Sequence, residues 1–196
     1  MKAFANTPRS FFAVTRPQSS FLHDIIGPMK SNELRERLLK IGVIEHAPVL
    51  LRSGKTAEYY CDIKKAFGYP DLLQALAQAT AALIPQEVTC IAASGYGGIP
   101  LATQVSALLG KKLTLVREKE KDHGRSGRID GYMPDKHDRI AVVDDVFTTG
   151  SSIRNTLEGL RITAGAVLLA VVVIRRGDTA QFPVPVSSVF DISELL

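Results

Sequence analysis

The sequence predicts an α/β domain with a central, mostly parallel sheet flanked by helices. Two observations carry that prediction. Strand-length runs that are nearly continuous in apolar residues, at 88–93, 113–116, 140–144 and 166–174, suit strands covered on both faces. Segments with helical periodicity separate them, and polar, glycine-containing turns follow two of the runs, at 94–98 and 148–152.

Residues 1–28 differ from the rest. They hold Phe11, Phe12 and Phe21, three prolines, and one acidic residue, Asp24, against Lys2, Arg9 and Arg16. They are expected to be an extension that is disordered, a start-site artefact or an organelle-targeting peptide. Met29 resembles a fresh start, and a single domain is expected over 29–196.

Ser31 or Asn32 is expected to cap a helix carrying Leu34, Leu38, Leu39 and Ile41 on one side, ending near Gly42. Val49-Leu50-Leu51 and Tyr59-Tyr60-Cys61 read as strands flanking the polar turn Arg52-Ser53-Gly54-Lys55. Gly68-Tyr69-Pro70 breaks the chain, and an Ala/Leu-rich helix follows over 71–83. After strand 88–93 comes a Gly-rich turn, then a helix over 99–109 stopped by Gly110. Residues 117–139 carry almost no apolar periodicity, and so long a stretch inside a compact domain is functional or disordered. Strand 140–144, helix 151–163 and strand 166–174 complete the alternation.

Composition narrows the class. The chain has 196 residues, 45% hydrophobic and 22% charged, which suits one ordinary soluble domain. A net charge of +4 fits anionic substrates as well as nucleic acid. No apolar run approaches the roughly 18 residues of a membrane span. Cys61 and Cys90 make neither a disulfide framework nor a zinc site, and a reducing cytoplasm is the expected compartment.

The chemistry concentrates where strand 140–144 ends. Asp144 and Asp145 follow an apolar run and precede Val146-Phe147-Thr148-Thr149-Gly150-Ser151-Ser152. Ligands of open α/β sheets bind at such strand ends. Backbone N–H groups of the turn and of the next helix suit a phosphate. The acidic pair suits sugar hydroxyls or Mg²⁺. A lone Asp there is as readily a turn former or N-cap, but two adjacent carboxylates are costly beside a core. A phosphorylated sugar is the first ligand class to consider.

Other segments are less specific alone. Ser94-Gly95-Tyr96-Gly97-Gly98-Ile99-Pro100 can bring backbone close to a diphosphate, or be a plain tight turn. It is neither a dinucleotide fingerprint nor a P-loop. Arg117-Glu118-Lys119-Glu120-Lys121-Asp122-His123-Gly124 can close cations over a phosphorylated substrate, or be a solvated surface. Tyr59 and Tyr60 can stack on a planar ring or simply pack. Arg175-Arg176 closes the last long strand, where a guanidinium can grip a carboxylate.

Together and in this order, these segments resemble the type I phosphoribosyltransferases, specifically the orotate enzymes, over residues 31–196. The stretch from Asp144 to Ser152 looks like the phosphoribosyl diphosphate signature. Ser53-Gly54-Lys55 with Tyr59-Tyr60-Cys61-Asp62 resembles the N-terminal hood. Residues 117–124 resemble the catalytic loop. The resemblance implies a small hood and a flexible catalytic loop on the sheet. It implies that Asp144 and Asp145 hold the ribose hydroxyls and that Val146 to Ser152 adjoin the sugar phosphate. Thr148, Thr149, Gly150, Ser151 and Ser152 would cradle the 5′-phosphate. Tyr96 and Gly97 would line the diphosphate. Arg117, Glu118, Lys119, Lys121 and His123 would close over it on the neighbouring subunit of a homodimer, and Lys121, His123, Asp144 and Asp145 would be catalytic. Tyr60 and Cys61 would line the base pocket, Arg176 would meet the carboxylate of the base, and Arg52 would bind substrate. Mg²⁺ would be held mainly by the substrate, with Asp144 and Asp145 reaching it through water.

Departures from the family pattern are Arg52 for lysine, the order Glu118-Lys119, Gly97 where some members have lysine, and Arg175 where Asp commonly precedes the last arginine. The implied activity is orotate phosphoribosyl transfer in pyrimidine biosynthesis, with no nucleic-acid or membrane partner. Two alternatives share the fold: an enzyme for another base, and a regulatory nucleic-acid-binding protein.

Overall fold

The computed structural model describes residues 29–45, 49–50, 56–119 and 127–196. The expected extension at 1–28, the turn holding Arg52 to Lys55, and Lys121 and His123 lie outside the described residues.

The first helix, α1 (Ser31–Lys40), buries Leu34 and Leu38. Its N-cap is Lys30, with no side-chain cap, so Ser31 and Asn32 lie inside the helix and not at its cap. Four two-residue strands follow: β1 (Ile44–Glu45), β2 (Val49–Leu50), β3 (Thr56–Ala57) and β4 (Tyr60–Cys61). β2 pairs with β3, and β4 pairs back with β1, both antiparallel. The expected hairpin between 49–51 and 59–61 is thus two separate ribbons. A 3-10 helix (Ile63–Gly68), invisible to periodicity, buries Ile63 and Ala66. Pro70 then opens α2 (Pro70–Ala81), where its missing N–H costs nothing.

The main sheet begins with β5 (Cys90–Ser94), which runs directly into α3 (Gly95–Leu109). β6 (Lys112–Val116), β7 (Ile129–Gly131) and β8 (Arg139–Phe147) follow. α4 (Ser151–Leu160), β9 (Ala166–Arg175), β10 (Val186–Asp191) and a short 3-10 turn (Ile192–Glu194) complete the chain. The strand order is β10-β9-β8-β5-β6-β7. All neighbours are parallel except β7, which adds antiparallel to β6 at one edge. The aperiodic stretch 117–139 therefore contains an edge strand.

Alternate residues of each central strand enter opposite halves of the core. Ile91, Ala93, Ala141, Val143, Val171 and Val173 pack with Leu72, Leu76 and Leu101 of α2 and α3. Cys90, Ala92, Ile140, Val142, Ala170 and Val172 pack with Ile153 and Leu160 of α4. Both faces are covered, which is why these strands read as continuous apolar runs. Each fully buried Val, Leu or Ile contributes roughly 1.5–3 kcal/mol.

The N-terminal ends of β5, β6 and β8 are tied by one carboxylate. Asp138 is only 2% exposed. It accepts from the Thr89 hydroxyl (2.8 Å), the Tyr132 hydroxyl (2.7 Å), the Lys112 ammonium (2.9 Å) and the Asp135 N–H (3.0 Å). Burial works against its charge, yet these donors outweigh it and hold the carboxyl well below the usual carboxylate range. A depressed pKa stabilises the fold above the unfolded value of about 3.9, and that contribution is lost as pH falls through the folded pKa. Asp138→Ala is expected to lower the unfolding free energy by about 2–3 kcal/mol at pH 7, since four donors lose their acceptor. Urea denaturation from pH 7 down to pH 2 should show the gap to wild type narrowing below about pH 4.

Candidate active site

β8 does not end at Asp144. It continues to Phe147 because β9 still pairs with it there, Val146 facing Ile174 and Phe147 facing Arg175. The acidic pair therefore sits on a rigid central strand. The segment read as a Gly-rich turn, Ser94 to Pro100, is the last residue of β5 and the first turn of α3. Its glycines are there for proximity. A Cβ at Gly98 would lie 2.8 Å from the Val143 carbonyl oxygen and 3.3 Å from Asp144 Oδ1. A Cβ at Gly97 would run into the carboxylate of Asp145.

The two carboxylates have different surroundings. Asp144 is 5% exposed. Its Oδ1 accepts from the Asp145 N–H at 2.9 Å, and its carboxylate is hydrogen-bonded by Ser152. Burial, with the adjacent Asp145 charge, pushes the Asp144 carboxyl well above the usual carboxylate range, against those bonds. Asp145 is half-buried. Its Oδ1 accepts from the Val146 N–H at 2.8 Å, and the Lys64 ammonium lies 3.5 Å from Oδ2. Lys64 is also 2.9 Å from Asp62 Oδ1. Burial opposes the charge on Lys64, but the Asp62 bond and the charges of Asp145 and Asp62 keep its pKa raised.

The turn after β8 leads into α4. Gly150 is left-handed (φ 73°) and is the N-cap of α4. A side chain there would strike the rings of Phe182 and Phe147, which meet edge to face at 5.0 Å. Thr148, Thr149, Ser151 and Ser152 are exposed around the open N–H groups of the helix start, while Phe147 is buried against Phe182 and Val146 packs on the core. A hydrogen bond of 2.7 Å between the buried hydroxyls of Ser94 and Thr156 joins the end of β5 to α4.

On the hood side, the two neighbouring arginines separate. Arg175 makes two bonds to Asp191 Oδ2, at 3.1 and 2.9 Å, across the β9–β10 pairing. Arg176 instead lies over the Tyr59 ring, 4.4 Å from its centre. Burial pushes the Cys61 thiol up to about 11, helped by the Asp145 charge and opposed by that of Arg176. Cys61 is therefore close enough to both Asp145 and Arg176 to feel their charges. Tyr60 is partly exposed beside it.

On the other flank, a cavity of about 540 Å³ is lined by Gly95, Tyr96, Ile99, Arg117, Glu118 and Lys119, among others. Tyr96 is 91% exposed. The feet of the 117–128 segment are fastened together, the Arg117 N–H donating to the Arg128 carbonyl (2.7 Å) and Arg128 Nε to the Arg117 carbonyl (2.9 Å). Arg128 also donates to Asn155 Oδ1 of α4 at 2.7 Å. Arg117 pairs with Asp130 at 2.5 Å.

All the described candidates thus gather at the C-terminal edge of the sheet. Sequence reasoning missed Lys64, Asn155, Arg128 and Phe182, for which no motif gave a signal.

The raised pKa of Asp144 has a consequence for stability. A native acid that resists ionisation opposes folding, progressively from the unfolded pKa of about 3.9 and fully above its folded pKa. Asp144→Asn should therefore melt higher than wild type at pH 8. Melting curves between pH 4 and pH 8 should show that gap closing as the pH falls.

Known proteins share this fold. The model of the phosphoribosyl transferase domain matches residues 69–194. The orotate phosphoribosyltransferase of Methanocaldococcus jannaschii is 35% identical over 152 residues, 78% of this chain and 86% of the relative. That of Methanopyrus kandleri is 35% identical over 153 residues, covering 78% and 82%. The crystal structure of orotate phosphoribosyltransferase from Aeropyrum pernix aligns with a TM-score of 0.71 at 28% identity, covering 83% of this chain and 96% of that one. Adenine phosphoribosyltransferase from Rhodothermus marinus, at TM-score 0.58 and 22% identity over 81% of this chain and 98% of its own, shares the fold. The chain belongs to the phosphoribosyltransferase family, and the orotate enzymes it matches cover most of its length.

Proposed function

We propose that the chain transfers the phosphoribosyl group of 5-phosphoribosyl 1-diphosphate to orotate, giving orotidine 5′-monophosphate and diphosphate in pyrimidine biosynthesis. The observation that carries the base is the position of Arg176. It stands over Tyr59 and near enough to Cys61 for its charge to act on that thiol, and among the described residues it makes no ion pair, whereas Arg175 is held by Asp191. An unspent guanidinium against a planar ring suits a flat, carboxylated base.

The chemistry is a displacement at the anomeric carbon. The bond from that carbon to the diphosphate oxygen breaks, and diphosphate leaves with the electron pair. A ring nitrogen of orotate supplies the pair for the new C–N bond and loses its proton. Positive charge develops on the sugar between these events. Asp144 and Asp145 would orient the ribose hydroxyls beneath it, and negative charge at that edge would favour the developing positive charge. The turn from Thr148 to Ser152 and the start of α4 would hold the 5′-phosphate. Tyr96 and Gly97 would border the diphosphate. Arg117 and Lys119, with Lys121 and His123 farther along the loop, would stabilise it as it leaves. Pre-positioning of this kind can replace a covalent nucleophile, and a Cys61 thiol held protonated is unsuited to be one.

Among the described residues no group of three or more His, Cys, Asp or Glu side chains is placed to hold a metal. Two carboxylates are few for a cation that takes six oxygens and keeps several waters. Mg²⁺ fits as an ion brought by the diphosphate, with Asp144 and Asp145 reaching it through water. When bound it offsets the charge of the leaving group. A homodimer, with the catalytic loop serving the neighbouring site, and a cytoplasmic location belong to the same reading. No helix among the described residues is long and apolar enough to cross a membrane.

Mixing protein, Mg²⁺, phosphoribosyl diphosphate and orotate should lower the orotate absorbance, and Lys121→Ala should abolish the fall. No fall, while phosphoribosyl diphosphate still binds, would overturn the choice of base. Arg176→Ala should raise the orotate KM roughly 10–100-fold, the loss of charge-assisted hydrogen bonds worth about 1.5–3 kcal/mol. Initial-rate measurements should show the KM for phosphoribosyl diphosphate little changed.

A further inference from the structure

We propose that Lys64 is a positioning residue for the sugar diphosphate: it sets the Asp145 carboxylate for the ribose hydroxyls and ties the hood to that site. The inference rests on the function proposed above and extends it to a residue with no assigned role.

Asp145 is held on three sides. Its Oδ1 accepts from the Val146 N–H at 2.8 Å, which fixes one edge of the carboxylate. The first turn of α3 closes one flank so tightly that only glycine fits at 97. The Lys64 ammonium, 3.5 Å from Oδ2, takes the remaining edge. The Asp145 side chain is 15% exposed and that of Lys64 43%, so the pair is shielded from solvent mainly at its carboxylate end. Its carboxylate also stands beside that of Asp144, and a cation offsets the repulsion between them.

Lys64 itself is well anchored. It belongs to the 3-10 helix, whose Ile63 and Ala66 are buried, and it pairs at 2.9 Å with Asp62. The Asp62 N–H donates to the Val43 carbonyl at 2.8 Å, which carries the connection into the hood. A chain of contacts thus runs from Val43 through Asp62 and Lys64 to Asp145. The next residue supplies a contrast. Lys65 donates to the Gly42 carbonyl at 2.9 Å and pairs with Glu45, both within the hood. Of two adjacent lysines, only Lys64 reaches the acidic pair.

The test compares Lys64→Met, Lys64→Arg and Lys65→Met with wild type. Phosphoribosyl diphosphate with Mg²⁺ is titrated into each protein by calorimetry, and KM is measured for both substrates. Lys64→Met should weaken phosphoribosyl diphosphate about tenfold in Kd and KM while leaving the orotate KM within about twofold. Lys64→Arg should recover most of the loss, and Lys65→Met should leave both substrates unchanged. Unchanged binding in Lys64→Met would overturn the proposal. So would an equal loss for both substrates that arginine does not rescue, since that marks general damage to the hood. If wild type binds phosphoribosyl diphosphate but does not consume orotate, the base assignment fails, and the calorimetric comparison still decides the role of Lys64.

Discussion

Gly97 and Gly98 leave no room for a side chain between the first turn of α3 and the carboxylates of Asp144 and Asp145. That contact constrains most of what surrounds it. The helix must start at the very end of β5, with no connecting loop. Its first turn then lies against the acidic end of β8, and negative charge near a helix N-terminus is favourable. β8 must stay in register with β9 beyond Asp145 to hold the acids still. Phe147, two residues farther along the strand, closes the core under the loop that leads into α4.

The acids are costly where they stand. One is almost wholly buried, and each raises the energy of the other's charge. The neighbourhood treats them unequally. Asp144 receives hydrogen bonds from neutral donors, whereas Asp145 has a nearby ammonium. The result is two adjacent carboxylates in unlike surroundings, one buried among neutral donors and one beside an ammonium.

Much of the fold was legible because burial on both sheet faces leaves a plain mark, the apolar runs of β5, β8 and β9. The elements that escaped are those without that mark. β7 has three residues and ends in glycine, and β10 carries two serines in its middle at the sheet edge. The glycines at 95, 97 and 98 argued for a turn by propensity, but contact with the acidic pair overrides propensity in the first turn of α3. In the site, the acidic pair and the arginine pair could be found from the residues alone. Which arginine faces the hood could not, because the answer depends on Asp191 standing opposite Arg175 in β10. Lys64 was hidden for a similar reason: its partner is 81 residues away, and nothing distinguishes it locally from Lys65.

The sheet also has two unlike ends. At the C-terminal ends of its strands sit the acidic pair and the open N–H groups of α4, with charges that folding tolerates at a cost. At the N-terminal ends, Asp138 gathers Thr89, Lys112 and Tyr132 into one hydrogen-bonded network. The anchoring network and the acidic pair are thereby housed six or seven residues apart along β8. A protein engineer seeking heat resistance can work on one edge while leaving the other untouched.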